Sequence, residues 1–584
     1  MLKSMINKLR YIFDKKAKIS LVWILFLVII GSFAELLGVS IFLPFIQILM
    51  DTNVIHTNKW LAYFYDRFGF TGITGFLTAL TSVIIVVYLL KNIYLIYMKN
   101  EMLKFSYKTR MQIATRLLST YMAEPYSFHL QKNIAELQGS IQYDAYQFML
   151  LINAALELLA EGAVILCLGV YLFCTSHSIT IVIMGLLIIC IGGFSWISKN
   201  ISQKLGKQNE EYNAQLYQWI NQSLGGIKEV KILNRESFFV DSYKSVYKKL
   251  IKGAKNNEVV AAIPKYIIET VCIIGMLLAV IVKMNWGQNN IEVFVVQLSA
   301  FAVAAFRLMP SAGKVSAYVN NIMYGMPSLD LIYNDLKAIE ECPEVNFSRP
   351  STDKMKFDKE IAIRKLAFKY ADADTEVLSD INLEIHKGET VALIGGSGAG
   401  KTTLADLILG LHTPTAGGIY VDDVDIASDM DAYHHLLGYI PQSIYLSDDT
   451  IRRNIAFGIP DELIDEIKLV EAMKKAQIYD FVQTLEEKEE TFVGDRGVRL
   501  SGGQRQRIGI ARALYCDPEI LILDEATSAL DNDTESAVME AIDSLRGQIT
   551  MVIIAHRLST LKNADVIYEI EDGMAVQRDK KDVL

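Results

Sequence analysis

Paired cysteines are missing from this chain of 584 residues. None of its six cysteines stands in a CxxC pair: Cys167, Cys174, Cys190 and Cys272 sit in apolar runs, and Cys342 and Cys516 in polar segments. That removes the spacing of a dithiol or zinc motif and leaves reduced thiols acting as small hydrophobes. A basic excess is missing too. With 57 Lys and Arg against 66 Asp and Glu, the formal net charge is -9, which excludes a nucleic-acid partner, because displacing the counterions condensed on phosphates needs a basic face. Internal repeats and low-complexity tracts are absent. So is a signal-peptide cleavage site: the basic start (Lys3, Lys8, Arg10, Lys15, Lys16, Lys18) leads into an apolar stretch too long for a signal core.

What is present is apolar length. Hydrophobic residues make up 52% of the chain, too many for one ordinary soluble domain. Six runs meet the requirement of about 20 apolar residues for a spanning helix: 21–50, 74–98, 148–174, 179–197, 258–284 and 290–312. Lys and Arg crowd alternate connections, among them Lys99, Lys104, Lys108, Arg110, Lys204, Lys207, Lys228, Lys231, Lys248 and Lys249, whereas the other loops carry chiefly Lys59 and Arg67. The positive-inside rule then puts both termini of this multi-pass membrane protein in the cytoplasm. The inner connections 99–147 and 198–257 read as helical extensions of the spans. A transmembrane domain over 1–335, a linker over 336–357 and a soluble α/β domain over 358–584 follow as the expected organisation.

The soluble part carries an ordered series of motifs. Gly395-Gly396-Ser397-Gly398-Ala399-Gly400-Lys401-Thr402-Thr403 follows a strand ending at Ile394 and opens a helix. Glycines there let backbone N–H groups turn to phosphate, Lys401 neutralises the β and γ oxygens, and Thr402 holds Mg²⁺. Ile520 to Leu523 read as a buried strand delivering Asp524 to the Mg²⁺ shell and Glu525 to the attacking water, as general base or water positioner. ATP and Mg²⁺ are the implied ligands. A glycine-rich turn with a chance Gly-Lys-Thr, or acids merely closing a strand, becomes improbable once both occur in this order.

Between them, Leu500-Ser501-Gly502-Gly503-Gln504 resembles the signature of ATP-binding cassette proteins, with Gln442 and His556 in the expected places. The resemblance implies that Ser501 to Gln504 grip the γ-phosphate of ATP held by a second subunit, that Tyr370 stacks on adenine, that Gln442 links Mg²⁺ to the membrane half, that Ser528 to Asp531 cross the dimer seam and that His556 contacts the γ-phosphate. Tyr370 rests on its position before the phosphate loop alone. One chain cannot complete a site, so a symmetric homodimer is expected, a heterodimer being the alternative. Thr491-Phe-Val-Gly-Asp-Arg-Gly497 is similar to the stretch that marks exporters, with Asp495 where glutamate is more usual. The implied fold is a six-span helical domain of the domain-swapped exporter type followed by a P-loop α/β domain.

The cargo must be read from the membrane half. Lys91 and Arg307 each lie about 25 Å along their spans at 1.5 Å per residue, and Lys265 falls at a comparable depth, so the three form a candidate anion-binding ring. Against this, Lys and Arg near helix ends snorkel to headgroups, and the acids Glu35, Glu157, Glu161 and Glu269 offer the same bases structural partners. Pro310, beside Arg307, is placed to kink span six and open that arginine to a cavity. Outside, Trp60, Phe64 and Phe68 recur every four residues, as in an interfacial helix or a common aromatic belt.

Taken whole, the chain resembles bacterial lipid-linked oligosaccharide flippases through Phe42-Leu-Pro-Phe45, Ala261-Ala-Ile-Pro-Lys265, Phe306-Arg-Leu-Met-Pro-Ser-Ala312 and Ser328-Leu-Asp-Leu-Ile-Tyr333. That family implies ATP-driven flipping of a polyprenyl-pyrophosphate-linked glycan to the outer leaflet for glycosylation. Lys91, Lys265 and Arg307 would take the pyrophosphate, and the Trp60 to Phe68 segment the polyprenyl tail. Lysine at 91 and 265, where the family has arginine, keeps the charge and loses the bidentate fork. An exporter of drugs, peptides or lipid A shares the same engine. A soluble cassette ATPase is contradicted by the six spans.

Overall fold

The computed structural model describes residues 2–41, 45, 47–49, 52, 54–70, 72–175, 177–286, 291–338, 354–371, 373–524, 532–555 and 561–583, to which the structural statements here refer. Within these, some helix side chains, including those of 282–286, 291–307 and 532–537, lie outside the description. The chain divides into two units: residues 1–124 with 128–345, and residues 346–584 with Pro125–Ser127.

The first unit is helical. α1 (Leu2–Ile12) precedes α2 (Lys15–Ser40), whose N-cap Asp14 accepts from the Ala17 N–H. A short amphipathic α3 (Lys59–Arg67) leads to α4 (Ile73–Ala123), α5 (Tyr126–Gln131, whose Tyr126 and Ser127 belong to the second unit), α6 (Ala145–Thr175), α7 (His177–Gly225), α8 (Ile227–Ile232), α9 (Glu236–Trp286) and α10 (Ile291–Ala338). Among the described residues, α2, α4 and the stretch 134–174 are long and apolar enough to cross a membrane. α4, α7 and α9 run 51, 49 and 51 residues, so the polar inner connections continue the helices of their spans. α2 stops at Ser40, short of the expected end at 50, and residues 42–44 lie outside the described set. Pro264, Pro310 and Pro327 are carried inside helices that run on past them.

α2 packs on α4 and α6, α6 on α10, and α7 on both α9 and α10. Buried polar groups join the last three: Asn320 (α10) accepts from Ser202 Oγ (α7) and donates to Asn257 Oδ1 (α9) at 3.0 Å. At Gly206 a Cβ would run into the Tyr324 carbonyl, so only glycine lets α7 and α10 approach this closely.

The second unit is α/β. Its six-stranded sheet has the order β10 (Met574–Arg578), β9 (Val566–Glu571), β3 (Thr390–Gly395), β8 (Thr550–Ile554), β7 (Ile520–Asp524), β6 (Leu437–Ile440), parallel except for the hairpin edge β10. Leu521 and Leu523 enter one apolar cluster, while Ile520 and Ile522 enter the other. A strand buried on both faces must be apolar at successive residues, as Ile520 to Leu523 are. A four-stranded antiparallel sheet, β2 (Leu378–His386), β1 (Glu360–Phe368), β4 (Ala416–Val421), β5 (Val424–Asp425), completes the unit. Phe357, assigned to the linker by sequence, is 2% exposed within this core.

Candidate nucleotide site and membrane-embedded charges

The motifs follow the ends of four neighbouring parallel strands. β3 closes at Gly395 and β7 at Asp524, which is level with Ile554 at the end of β8. Ile440, at the end of β6, pairs with Leu523. Gln442 lies two residues beyond β6, His556 two beyond β8, and Glu525 directly after β7. Carboxyl ends of adjacent parallel strands are where open α/β sheets bind ligands. Glu525, His556 and Ser528 to Asp531 lie outside the described residues.

The phosphate loop is built on conformations that favour glycine. Gly395, Gly398 and Gly400 have φ of 144°, 80° and 103°. A Cβ at Gly395 would run into the Ile570 carbonyl oxygen, and one at Gly400 would lie 2.8 Å from Leu378 Cδ2, while around Gly396 and Gly398 the space is open. The loop's backbone is thus anchored on the sheet side and free on the other, as a cradle for phosphate oxygens requires. Ser397 and Ala399 fall within this turn. Gly400 caps α11 (Lys401–Ile408), adding the positive end of a helix dipole. Lys401 is 5% exposed, and its ammonium donates to the Gly395 and Gly396 carbonyls, each at 2.9 Å. It is buried, charge-satisfied and folded over the loop it serves.

Thr402 faces solvent on the first turn of α11 and Thr403 is buried. An exposed hydroxyl there, with the Asp524 carboxylate at the end of β7, is a donor set of hard oxygens suited to Mg²⁺. Asp524 makes itself felt on α11: burial first, then the Asp524 charge, push Asp406 up to about 6. Tyr370 reaches the same helix, its hydroxyl sharing a 3.1 Å hydrogen bond with Thr403 Oγ1. Sequence reasoning placed Tyr370 by position alone. Thr403, its anchor, stood inside the motif unrecognised in that role.

The signature opens α12 (Gly502–Tyr515) with a complete capping box: the Gln504 N–H donates to Ser501 Oγ at 3.2 Å, and the Ser501 N–H to Gln504 Oε1 at 2.8 Å. Ser501 and Gly502 are exposed and Gly503 is buried, so the first turn presents a hydroxyl and backbone N–H groups outward. Arg512, further along α12, donates to the carbonyls of Asn454 (2.8 Å) and Tyr445 (2.7 Å), fastening the helix to the segment that follows Gln442. No spacing in the sequence marked this arginine. Asp495 is exposed within the turn Asp495–Gly497, where Arg496 and Gly497 take φ of 52° and 68°.

The membrane charges are distributed differently from a free ring. Lys91 Nζ lies 3.1 Å from Glu35 Oε2, with only 11% and 10% of the two side chains exposed. Lys265 is exposed on α9, its ammonium 5.8 Å from the Tyr266 ring centroid, and its backbone lies against Gly313 of α10. Arg307 is in α10, and its side chain lies outside the described residues. Glu161 accepts from Ser311 Oγ (2.6 Å) and Lys314 Nζ (2.7 Å), and Glu157 from Lys99 Nζ. Lys314, two residues past the expected end of span six, is a base the sequence reading overlooked. On α3, Trp60, Phe64 and Phe68 are exposed while Leu61 packs inward on Ile55 and Phe76.

Family models agree with both units. Residues 21–308 match the ABC transporter transmembrane region and residues 378–528 the ABC transporter model. Proteins described as ATP-dependent lipid A-core flippases are similar over most of their length: that of Cupriavidus metallidurans is 31% identical over 488 residues, covering 81% of this chain and 78% of its own, and that of Yersinia pestis is 31% identical over 474 residues, covering 81% and 80%. A solved structure, of a bacterial Atm1-family ABC exporter with ATP bound, shares the fold with a TM-score of 0.77 across 98% of this chain and 97% of its own, at 22% identity. The chain belongs to the ABC transporter family, as a half-transporter that joins one membrane region to one ATP-hydrolysing domain.

Proposed function

We propose that two copies of this chain form an ATP-driven flippase of a bacterial inner membrane, moving a phosphate-bearing glycolipid of the lipid A-core type from the inner to the outer leaflet. The observation that carries this reading is the likeness to named lipid A-core flippases at 31% identity over 81% of the chain, which spans the membrane region as well as the ATPase. It favours the lipid A alternative over a polyprenyl-linked glycan. The second reading keeps one observation of its own, the exposed aromatics of α3, which suit a long isoprenoid tail.

Within each site Lys401 and the N–H groups of Gly395 to Gly400 would hold the phosphates, Tyr370 would support adenine, and Asp524, Thr402 and Gln442 would hold Mg²⁺. Mg²⁺ there would neutralise charge on the β and γ oxygens. Glu525 positions water, and His556 contacts the γ-phosphate. Ser501 to Gln504 of the opposite copy close the site. Of the three substrate bases, Lys91 enters bound to Glu35, so an anionic headgroup must compete with that carboxylate, whereas Lys265 is exposed. ATPase activity in nanodiscs should rise severalfold with lipid A. Stimulation by undecaprenyl-pyrophosphate glycan alone selects the second reading, and indifference to both lipids, with basal hydrolysis intact, overturns the lipid assignment.

A further inference from the structure

His412 lies four residues beyond α11, in a box of rings. Its centroid is 5.1 Å from Phe368, 5.6 Å from Tyr370 at an interplanar angle of 87°, and 5.7 Å from Tyr126. It is 7% exposed, and its Nε2 is buried with no hydrogen-bond partner. Burial also holds its pKa below the ordinary value, so the ring is neutral near pH 7. A buried imidazole whose Nε2 goes unused is held by ring packing rather than by hydrogen bonding. Tyr370, one neighbour, is fixed on its other side by Thr403 of α11. Tyr126, another neighbour, is the first residue of α5 and stands three residues along the chain from Ala123, where α4 ends.

We propose that His412 is a positioning residue that sets the orientation of the Tyr370 ring according to the placement of Tyr126, so that the 125–127 segment tunes ATP affinity through the adenine platform. This rests on the reading of Tyr370 as that platform. The relay is the ring series Tyr126, His412, Tyr370, and it needs aromatic surface at position 412 rather than a titrating nitrogen.

The test uses the purified full chain in nanodiscs, with steady-state ATP hydrolysis and titration of a fluorescent ATP analogue. His412→Ala raises the KM for ATP about tenfold with kcat nearly unchanged, the pattern of lost ground-state binding. His412→Phe restores the KM and, by removing the orphaned nitrogen, gives an apparent Tm at or above that of the native chain. Tyr126→Ala raises the KM as well, and combining it with His412→Ala adds nothing further, the mark of one pathway. Additive effects, or an unchanged KM in His412→Ala, overturn the relay. Tyr370→Ala separates the two readings: if it leaves analogue affinity unchanged, the platform assignment fails. If it weakens affinity while His412→Ala does not, only the relay fails. Should His412→Ala not fold, the Tyr126→Ala and His412→Phe arms decide alone.

Discussion

A lysine that serves phosphate from a buried position needs hydrogen-bond partners there, and Lys401 donates to two loop carbonyls at 2.9 Å. Removing it leaves the loop conformation to its glycines and takes away the cation. Lys401→Ala is therefore expected to lower kcat/KM for ATP by about 100-fold or more with little change in apparent Tm, read by phosphate release and thermal unfolding. The pair Lys91–Glu35 behaves oppositely, because each charge there is buried against the other. Lys91→Met takes away the cation facing the Glu35 carboxylate and costs about 3–5 kcal/mol, while the double change Lys91→Met with Glu35→Gln recovers most of it; parallel melts of the two variants check this. Asp406 gives a pH dependence. Its folded pKa is about 6 against an ordinary 3.8. Below 3.8 it is protonated folded and unfolded alike, and above about 6 it is ionised in both, with the folded state bearing the burial and the Asp524 repulsion. Its contribution to stability is thus lost as pH rises from 3.8 to 6. In chelator, Asp406→Asn should raise the apparent Tm at pH 7.5 and flatten that slope. Residue types at the nucleotide site were legible because glycine, lysine and paired acids are demanded locally. The partners of Tyr370 and Arg512 were not, since each meets a group far away in sequence, while for Lys91 the sequence offered Glu35 only as one of four acids.

At the scale of elements, hydropathy marks apolar runs and not the ends of the helices that contain them. Apolar length shows where lipid requires helix, but nothing apolar marks how far a helix continues into water, and α4 continues to Ala123. Pro310 lies inside α10, which runs on past it, with Ser311 and Ala312 fully buried beside it. Strand order in the second unit was out of reach too, because β3 pairs in the sheet with β8, which lies over a hundred residues further along the chain. The polar ladder Ser202–Asn320–Asn257 makes α7, α9 and α10 one packed group. Replacing Asn320 by Leu leaves a hydroxyl and an amide oxygen unsatisfied, a loss of about 2 kcal/mol. Thermal unfolding in detergent measures it, and proteolysis should speed up within these three helices first.

At the scale of the molecule, the engine was readable because its chemistry is local, and the cargo was not, because recognition depends on how distant helices share charge. The motifs imply composite ATP sites, with the loop from one copy and Ser501 to Gln504 from another. A Lys401→Ala chain mixed with a Gly503→Asp chain should then hydrolyse ATP although neither does alone, since one of the two sites in the mixed dimer is intact. The most direct measurement of lipid movement is a flipping assay with the full chain in proteoliposomes carrying labelled lipid A or labelled polyprenyl-pyrophosphate glycan. ATP-dependent transfer of lipid A to the protected leaflet, abolished by Lys401→Ala, is the predicted result. Continued ATP hydrolysis with neither lipid moved would contradict the account.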